Sequence, residues 1–192
     1  MAPMPSTDSV LTAAHRQELL GLAARSIQAG LTGDRLKVRA GDFPQPLRMT
    51  RATFVTLTID AQLRGCIGTL EARRALVEDV ASNAYSAAFE DPRFAPLERG
   101  EFERLDIHLS LLSAPEPIQF GSEKDLLAQI RPSLDGLVLE EGARRGTFLP
   151  SVWEQLPDPV EFLRHLKRKA GLPADYWSAT LRVSRYTSES IP

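Results

Sequence analysis

Two apolar runs separated by three residues set the first constraint on this chain. Thr53-Phe54-Val55-Thr56-Leu57-Thr58-Ile59 alternates Val55, Leu57 and Ile59 against threonines, the period of a half-buried strand. Asp60-Ala61-Gln62 turns it back and Leu63 to Leu70 returns, so the pair reads as a β-hairpin. The returning strand, Leu63-Arg64-Gly65-Cys66-Ile67-Gly68-Thr69-Leu70, carries the chain's only cysteine between two glycines. Glycine weakens a strand unless a bulge, a bend or a close approach needs the missing side chain. A hairpin that keeps two of them predicts a distorted ladder at Gly65 and Gly68 and a site beside the thiol.

Helical and strand periods follow each other irregularly in the rest of the chain. Ala13 to Ala29 puts Leu19, Leu20, Ala23 and Ile27 on one stripe, with Thr12 as N-cap and Gly30 as stop. Ala75 to Phe89 repeats Leu76, Val80, Ala84 and Ala88 every four residues beside a row of Val77, Ala81 and Tyr85, the pattern of a helix lying close on a sheet. Asp91-Pro92 ends it, because the residue before a proline is pushed out of the helical region. Leu105 to Leu112 alternates Leu105, Ile107, Leu109 and Leu111 against Asp106, His108 and Ser110, another half-buried strand. Ser122 with Asp125 opens a short helix to Ile130. Gly136 to Glu141 and Thr147 to Leu149 read as strands joined by a loop, Gly142-Ala143-Arg144-Arg145-Gly146. Asp158-Pro159-Val160-Glu161 starts a helix that runs to about Ala170, and Ala179 to Thr187 supplies a last strand. Strands in hairpins with helices between them give the α+β class, with a mixed, mostly antiparallel sheet flanked by helices.

A chain of 192 residues suits one domain, able to bury roughly 70% of its unfolded surface. The net charge of −2 argues against a broad nucleic-acid-binding face. Met1 to Val10 lacks the basic start and apolar run of a secretion signal, and no apolar run reaches membrane-spanning length. One cysteine allows no internal disulfide, which fits a reducing, cytoplasmic setting. Three scattered histidines and one cysteine show no metal-ligand spacing, and no phosphate loop or dinucleotide fingerprint opens a helix, so neither metal nor cofactor is expected.

Five segments in order, LRGCIGTL at Leu63 to Leu70, EDPRF at Glu90 to Phe94, LSLLSAPEPI at Leu109 to Ile118, DGLVLEEGARRGTFLPSVWEQL at Asp135 to Leu156 and FLRHLKRKAGL at Phe162 to Leu172, closely resemble the AMMECR domain family. The resemblance spans about Thr12 to Thr187 and implies one compact unit with two unequal lobes. The expected layout is therefore a flexible N-terminus at 1–11, a single domain at 12–187 and a C-terminal tail at 188–192. It also implies company: similar prokaryotic proteins are the first component of a three-part set with a Memo-like protein and a radical-SAM protein. Roles suggested for the family run from transcription, repair or translation to an enzymatic role centred on the Arg-Gly-Cys-Ile-Gly segment. The chain departs from the family pattern at Ala52, in place of a glycine, and at Asp60-Ala61, in place of a turn containing glycine.

Cys66 is the candidate nucleophile, with amides beside Gly65 and Gly68 as donors to a developing oxyanion. Strand alternation places Arg64 on the same face as Cys66, where its charge would stabilise a thiolate. Of the histidines, His15 and His165 read as surface residues, whereas His108 sits on the polar side of a strand and is the candidate base for a Cys66–His108 dyad. Asp91 and Arg93 flank a rigid Pro92, either holding a ligand or pairing with neighbours. Arg144 and Arg145 in a glycine-flanked loop suit a small anion. Cations at Arg164, Lys167, Arg168 and Lys169 are favoured by the helix dipole, and Lys169, within a matching segment, remains a binding candidate. Trp153 and Trp177 read as core or lobe-interface anchors. Two readings follow: a small-molecule or protein-modifying enzyme with a pocket around the hairpin, or a non-catalytic binding or adaptor module for a partner protein or a nucleotide-like or RNA-like anion.

Overall fold

A computed structural model describes residues 11–192, so the expected flexible N-terminus lies, except for Leu11, outside the described residues. The chain divides into two compact units, the first comprising the described residues up to Leu111 with Ser190–Pro192, the second Leu112–Glu189. No described helix is long and apolar enough to cross a membrane.

The first unit begins with α1 (Ala13–Gly30). The Thr12 hydroxyl accepts from the His15 main-chain N–H at 3.2 Å, and His15 Nδ1 accepts from Thr12 N–H at 3.3 Å, a reciprocal cap. The helix buries Leu19, Leu22, Ala23 and Ile27, and Leu20 of the expected stripe is only half-buried. A short α2 (Gln45–Arg48) precedes the hairpin β1 (Thr53–Ile59) and β2 (Gln62–Gly68), which is followed by α3 (Leu76–Phe89) and β3 (Leu105–Leu112). Sheet order is β2-β1-β3-β8, the last strand being β8 (Ser188–Ile191), so the expected tail is a strand. Val55, Leu57, Leu109 and Leu111 on the sheet join Val77, Val80 and Ala84 of α3 and Leu19 and Ile27 of α1 in one core.

The second unit holds β4 (Glu116–Pro117), α4 (Glu123–Gln129), β5 (Gly136–Glu141), β6 (Arg144–Phe148), α5 (Pro159–Lys169) and β7 (Arg182–Tyr186), with sheet order β4-β7-β5-β6. Its core gathers Leu137, Leu139, Val183, Leu126, Phe162 and Leu166 around Trp153, whose ring stacks on Phe162 at 3.7 Å. The Trp153 indole donates to the Asp135 carbonyl at 2.7 Å, satisfying the polar atom of a buried ring. The α+β class stands, but the strands form two separate antiparallel sheets instead of one mixed sheet, because each has its own helices and its own core. Lys167 is fully buried: it shares the inward face of α5 with Phe162, Leu163 and Leu166, and its ammonium lies 3.2 Å from Glu123 without hydrogen-bond alignment.

Candidate functional site

The residues around Cys66 are positioned by what the edge strand β2 lacks. β2 pairs with β1 on one side only, and at Cys66 the main-chain groups point away from β1. Unpaired strand edges must find partners. Here the Asp-Pro-Arg turn after α3 supplies them: Cys66 N–H donates to Asp91 Oδ2 at 2.9 Å, and Arg93 Nη2 donates to the Cys66 carbonyl at 3.2 Å. The two clamp residues also hold each other, Arg93 Nε reaching Oδ1 at 3.0 Å and Nη2 reaching Oδ2 at 2.7 Å, with Arg93 N–H on Oδ1 at 3.1 Å. Asp91 is buried and Arg93 half in water. The guanidinium bond, with the two amides behind it, holds the Asp91 carboxyl well below the usual carboxylate range against the opposing effect of burial. The Arg93 guanidinium is raised in return, chiefly by its bond to Asp91.

The thiol itself faces Thr56, with Sγ 3.3 Å from the threonine hydroxyl. Register places Thr56 opposite Cys66 on β2 and opposite His108 on β3, so the three form one row across the sheet. At about 4.8 Å per strand, Cys66 and His108 are about 10 Å apart with Thr56 between them, and the expected dyad is not made. Arg64 also departs from expectation. The ladder slips between the Thr58–Leu63 and Leu57–Gly65 pairs, leaving Arg64 as the extra residue of a bulge, so simple alternation from Arg64 to Cys66 fails. Its guanidinium is gripped by Glu101 at 2.8 and 2.9 Å, which raises the arginine and lowers the glutamate. The arginine beside Cys66 is Arg93.

Both glycines have packing reasons. A Cβ on Gly65 would overlap the carbonyl oxygen of Ala87 in α3, and one on Gly68 would overlap the Phe54 ring. They admit close neighbours, while the Cys66 amide proposed for an oxyanion is taken by Asp91.

The remaining sequence candidates lie in the second unit. Arg144 and Arg145 are strand residues, not loop residues: the turn is only Gly142-Ala143, with Gly142 at φ +57°, and the two arginines pair in register with Glu141 and Glu140. Arg145 Nε lies 3.7 Å from Glu140, the cross-strand charge pair expected on an exposed ladder. Lys169 holds its ammonium 4.9 Å from the Phe148 ring centroid, and burial pushes its pKa down.

One constellation escaped the sequence reading. The buried Asp79 carboxylate accepts from Thr53 N–H at 2.9 Å, Thr53 Oγ1 at 2.7 Å, Asn83 Nδ2 at 3.0 Å, Thr69 Oγ1 at 3.1 Å and Arg74 Nε at 3.1 Å. It ties the start of β1 and the chain just beyond β2 to α3. The signal was an Asp79/Asn83 pair, four residues apart, on an otherwise apolar helix face. Among the described residues no group of three or more metal-binding side chains gathers.

A family model described as AMMECR1 matches residues 20–191, a span that contains the glycine hairpin, the Asp-Pro-Arg clamp and the second unit's sheet. The chain belongs to the AMMECR1 family. Its relatives include a protein of Methanothermobacter thermautotrophicus, 37% identical over 173 residues, covering 89% of this chain and 90% of that one. A protein of Thermotoga maritima is 39% identical over 149 residues, covering 76% and 80%. The crystal structure of an uncharacterised protein from Pyrococcus horikoshii superposes with a TM-score of 0.81 at 35% identity, covering 90% of this chain and 88% of that chain. In this AMMECR1-family chain the LRGCIG and EDPRF segments, separated in sequence, meet at the Cys66 main chain.

Proposed function

We propose that this AMMECR1-family chain is a recognition module whose working surface is the polar face of the first sheet: Thr56, Cys66, His108 and Ser110. The observation that carries the reading is how fully Cys66 is committed, its main chain to Asp91 and Arg93 and its sulfur to the Thr56 hydroxyl. A nucleophilic thiol needs a base within about 3 Å, and the histidine of its own row stands one strand further on. A row of small polar groups held rigid by a clamp, with the half-exposed Arg93 guanidinium beside it, suits main-chain and carboxylate groups of a protein partner. The Memo-like and radical-SAM proteins implied by the resemblance are the partners to try first.

Titration calorimetry with the purified Memo-like protein of the same organism tests the reading. Thr56→Glu and His108→Glu should each weaken binding about tenfold, whereas Cys66→Ser should leave it within about twofold. Binding that ignores both glutamate substitutions overturns the proposal. The enzyme reading keeps one observation in its favour, the Arg93 guanidinium held 3.2 Å from the Cys66 carbonyl, a cation beside the chain's only cysteine. A covalent substrate adduct on Cys66, seen by intact-mass spectrometry and absent from Cys66→Ser, would establish that reading instead.

A further inference from the structure

Within the second unit lies a cavity of about 740 Å³, inside the roughly 300–1,000 Å³ range of small-molecule sites. Trp177, expected to be an anchor like Trp153, behaves differently from it. Trp153 is buried and stacked in the core, whereas Trp177 is only partly buried, lines the cavity, and meets Phe120 at 5.6 Å with a 56° tilt. The Lys167 ammonium sits 5.9 Å from the Trp177 centroid, a buried cation that helps fix the indole. The aromatic wall is therefore preorganised.

The polar part of the lining is charge-balanced. Glu140 and Arg182 are direct cross-strand partners of β5 and β7, and both border the cavity with Ser178 and Ser184. Glu140 also has Arg145 at 3.7 Å. Arg182 acts on Glu141, whose carboxyl is held below its usual range chiefly by the Thr180 hydroxyl. A ligand of net charge gains on one group what it loses on the other. A neutral ring with donors and acceptors along one edge gains on both.

We propose that this cavity binds a neutral planar heteroaromatic ring of the purine-base class, stacked on the Phe120–Trp177 wall with its edge donating to Glu140 and accepting from Arg182. Stacking on aromatic side chains and carboxylate or guanidinium contacts to base edges are the two elements of base recognition. The site lies in the other unit from the Cys66 face and stands independently of the function proposed above.

Guanosine is the probe, phenol the control, and the two indole N–H cross-peaks in nitrogen–proton correlation spectra are the readout. Trp177→Phe assigns the peaks, and Trp153, hydrogen-bonded to Asp135, is an internal reference. The expected result is a saturable movement of the Trp177 peak with guanosine, a stationary Trp153 peak, much weaker movement with phenol, and about tenfold weaker guanosine binding in Glu140→Gln and in Arg182→Ala. No saturable movement, affinity unaffected by either substitution, or phenol binding as tightly as guanosine each overturns the proposal.

Discussion

The two units each expose a hairpin edge, β2 in the first and β6 in the second, and they protect it by different means. On both, a glycine lets a helix approach: Gly65 against Ala87 of α3, Gly146 against Ala170 at the end of α5. The second hairpin is otherwise regular, and its edge carries Arg144 and Arg145 opposite Glu141 and Glu140. Exposed charge is enough to discourage pairing with another chain. In the first, a bulge interrupts the ladder, and a buried carboxylate and its arginine partner from another segment capture the free main-chain N–H and carbonyl of Cys66. A charged edge needs only local sequence. A clamped edge needs a second segment delivered by a helix, and it fixes the backbone of one residue, Cys66.

The glycines give the largest test of that contrast. Gly65→Ala would drive a Cβ into a helix carbonyl oxygen, where backbone must move against backbone, and should cost about 3 kcal/mol or prevent folding. Gly146→Ala meets backbone as well, Ala170 N, but at 2.9 Å against 2.1 Å at Gly65, a much smaller overlap, and should cost about 1 kcal/mol. Urea unfolding of the full chain, followed for both units, compares them. Equal losses would mean that the two hairpins are held alike.

The clamp comes next. Asp91→Asn replaces an acceptor of Arg93 and Cys66 with a donor, and should cost about 2 kcal/mol at neutral pH. Arg145→Ala on the charged edge should cost under about 0.5 kcal/mol. The two should also differ with pH. Because folding lowers the Asp91 pKa, its contribution is present above the unfolded value of about 3.9 and is lost as pH falls from there toward the folded value. The gap between wild type and Asp91→Asn should therefore be level near neutrality and narrow below about pH 4. A gap that widens on acidification would show that Asp91 is not the clamp.

What was legible in the sequence follows the same division. The hairpin β1–β2, the helices with their Thr12, Ser122 and Asp158 caps, and the polar side of β3 rest on local period and capping, and all are present. A distorted ladder was expected at Gly65 and Gly68: the slip does fall beside Gly65, whereas Gly68 pairs in regular register, and the extra residue at Arg64 was not legible because alternation assumes one residue per rung. Asp91 and Arg93 were legible as a pair, but their target needed the fold. Residue type misled at Lys167: its position, one step from Leu166 and four from Leu163, puts it on the buried face of α5, while its charge suggested water. Arg144 and Arg145 read as loop residues because glycines stand on both sides of them, whereas Gly142 lies in the turn with Ala143 and Gly146 lies in the strand.

The smallest prediction concerns the two turns. In the first hairpin Asp60 and Ala61 both adopt left-handed backbone, at φ +51° and +61°. Asp60 has its carboxylate engaged by Arg104, but Ala61 has no compensating contact of that kind. An L-residue there costs about 1–2 kcal/mol, and glycine removes that cost while adding roughly 0.4–1 kcal/mol of unfolded-state entropy. Ala61→Gly should therefore stabilise the protein by about 0.5 kcal/mol. In the second hairpin the left-handed position already holds Gly142, and Gly142→Ala should destabilise by about 1 kcal/mol. Opposite signs in thermal unfolding would show that turn geometry is strained in the clamped hairpin and relaxed in the regular one. The same sign for both would assign the difference between the edges to the clamp alone.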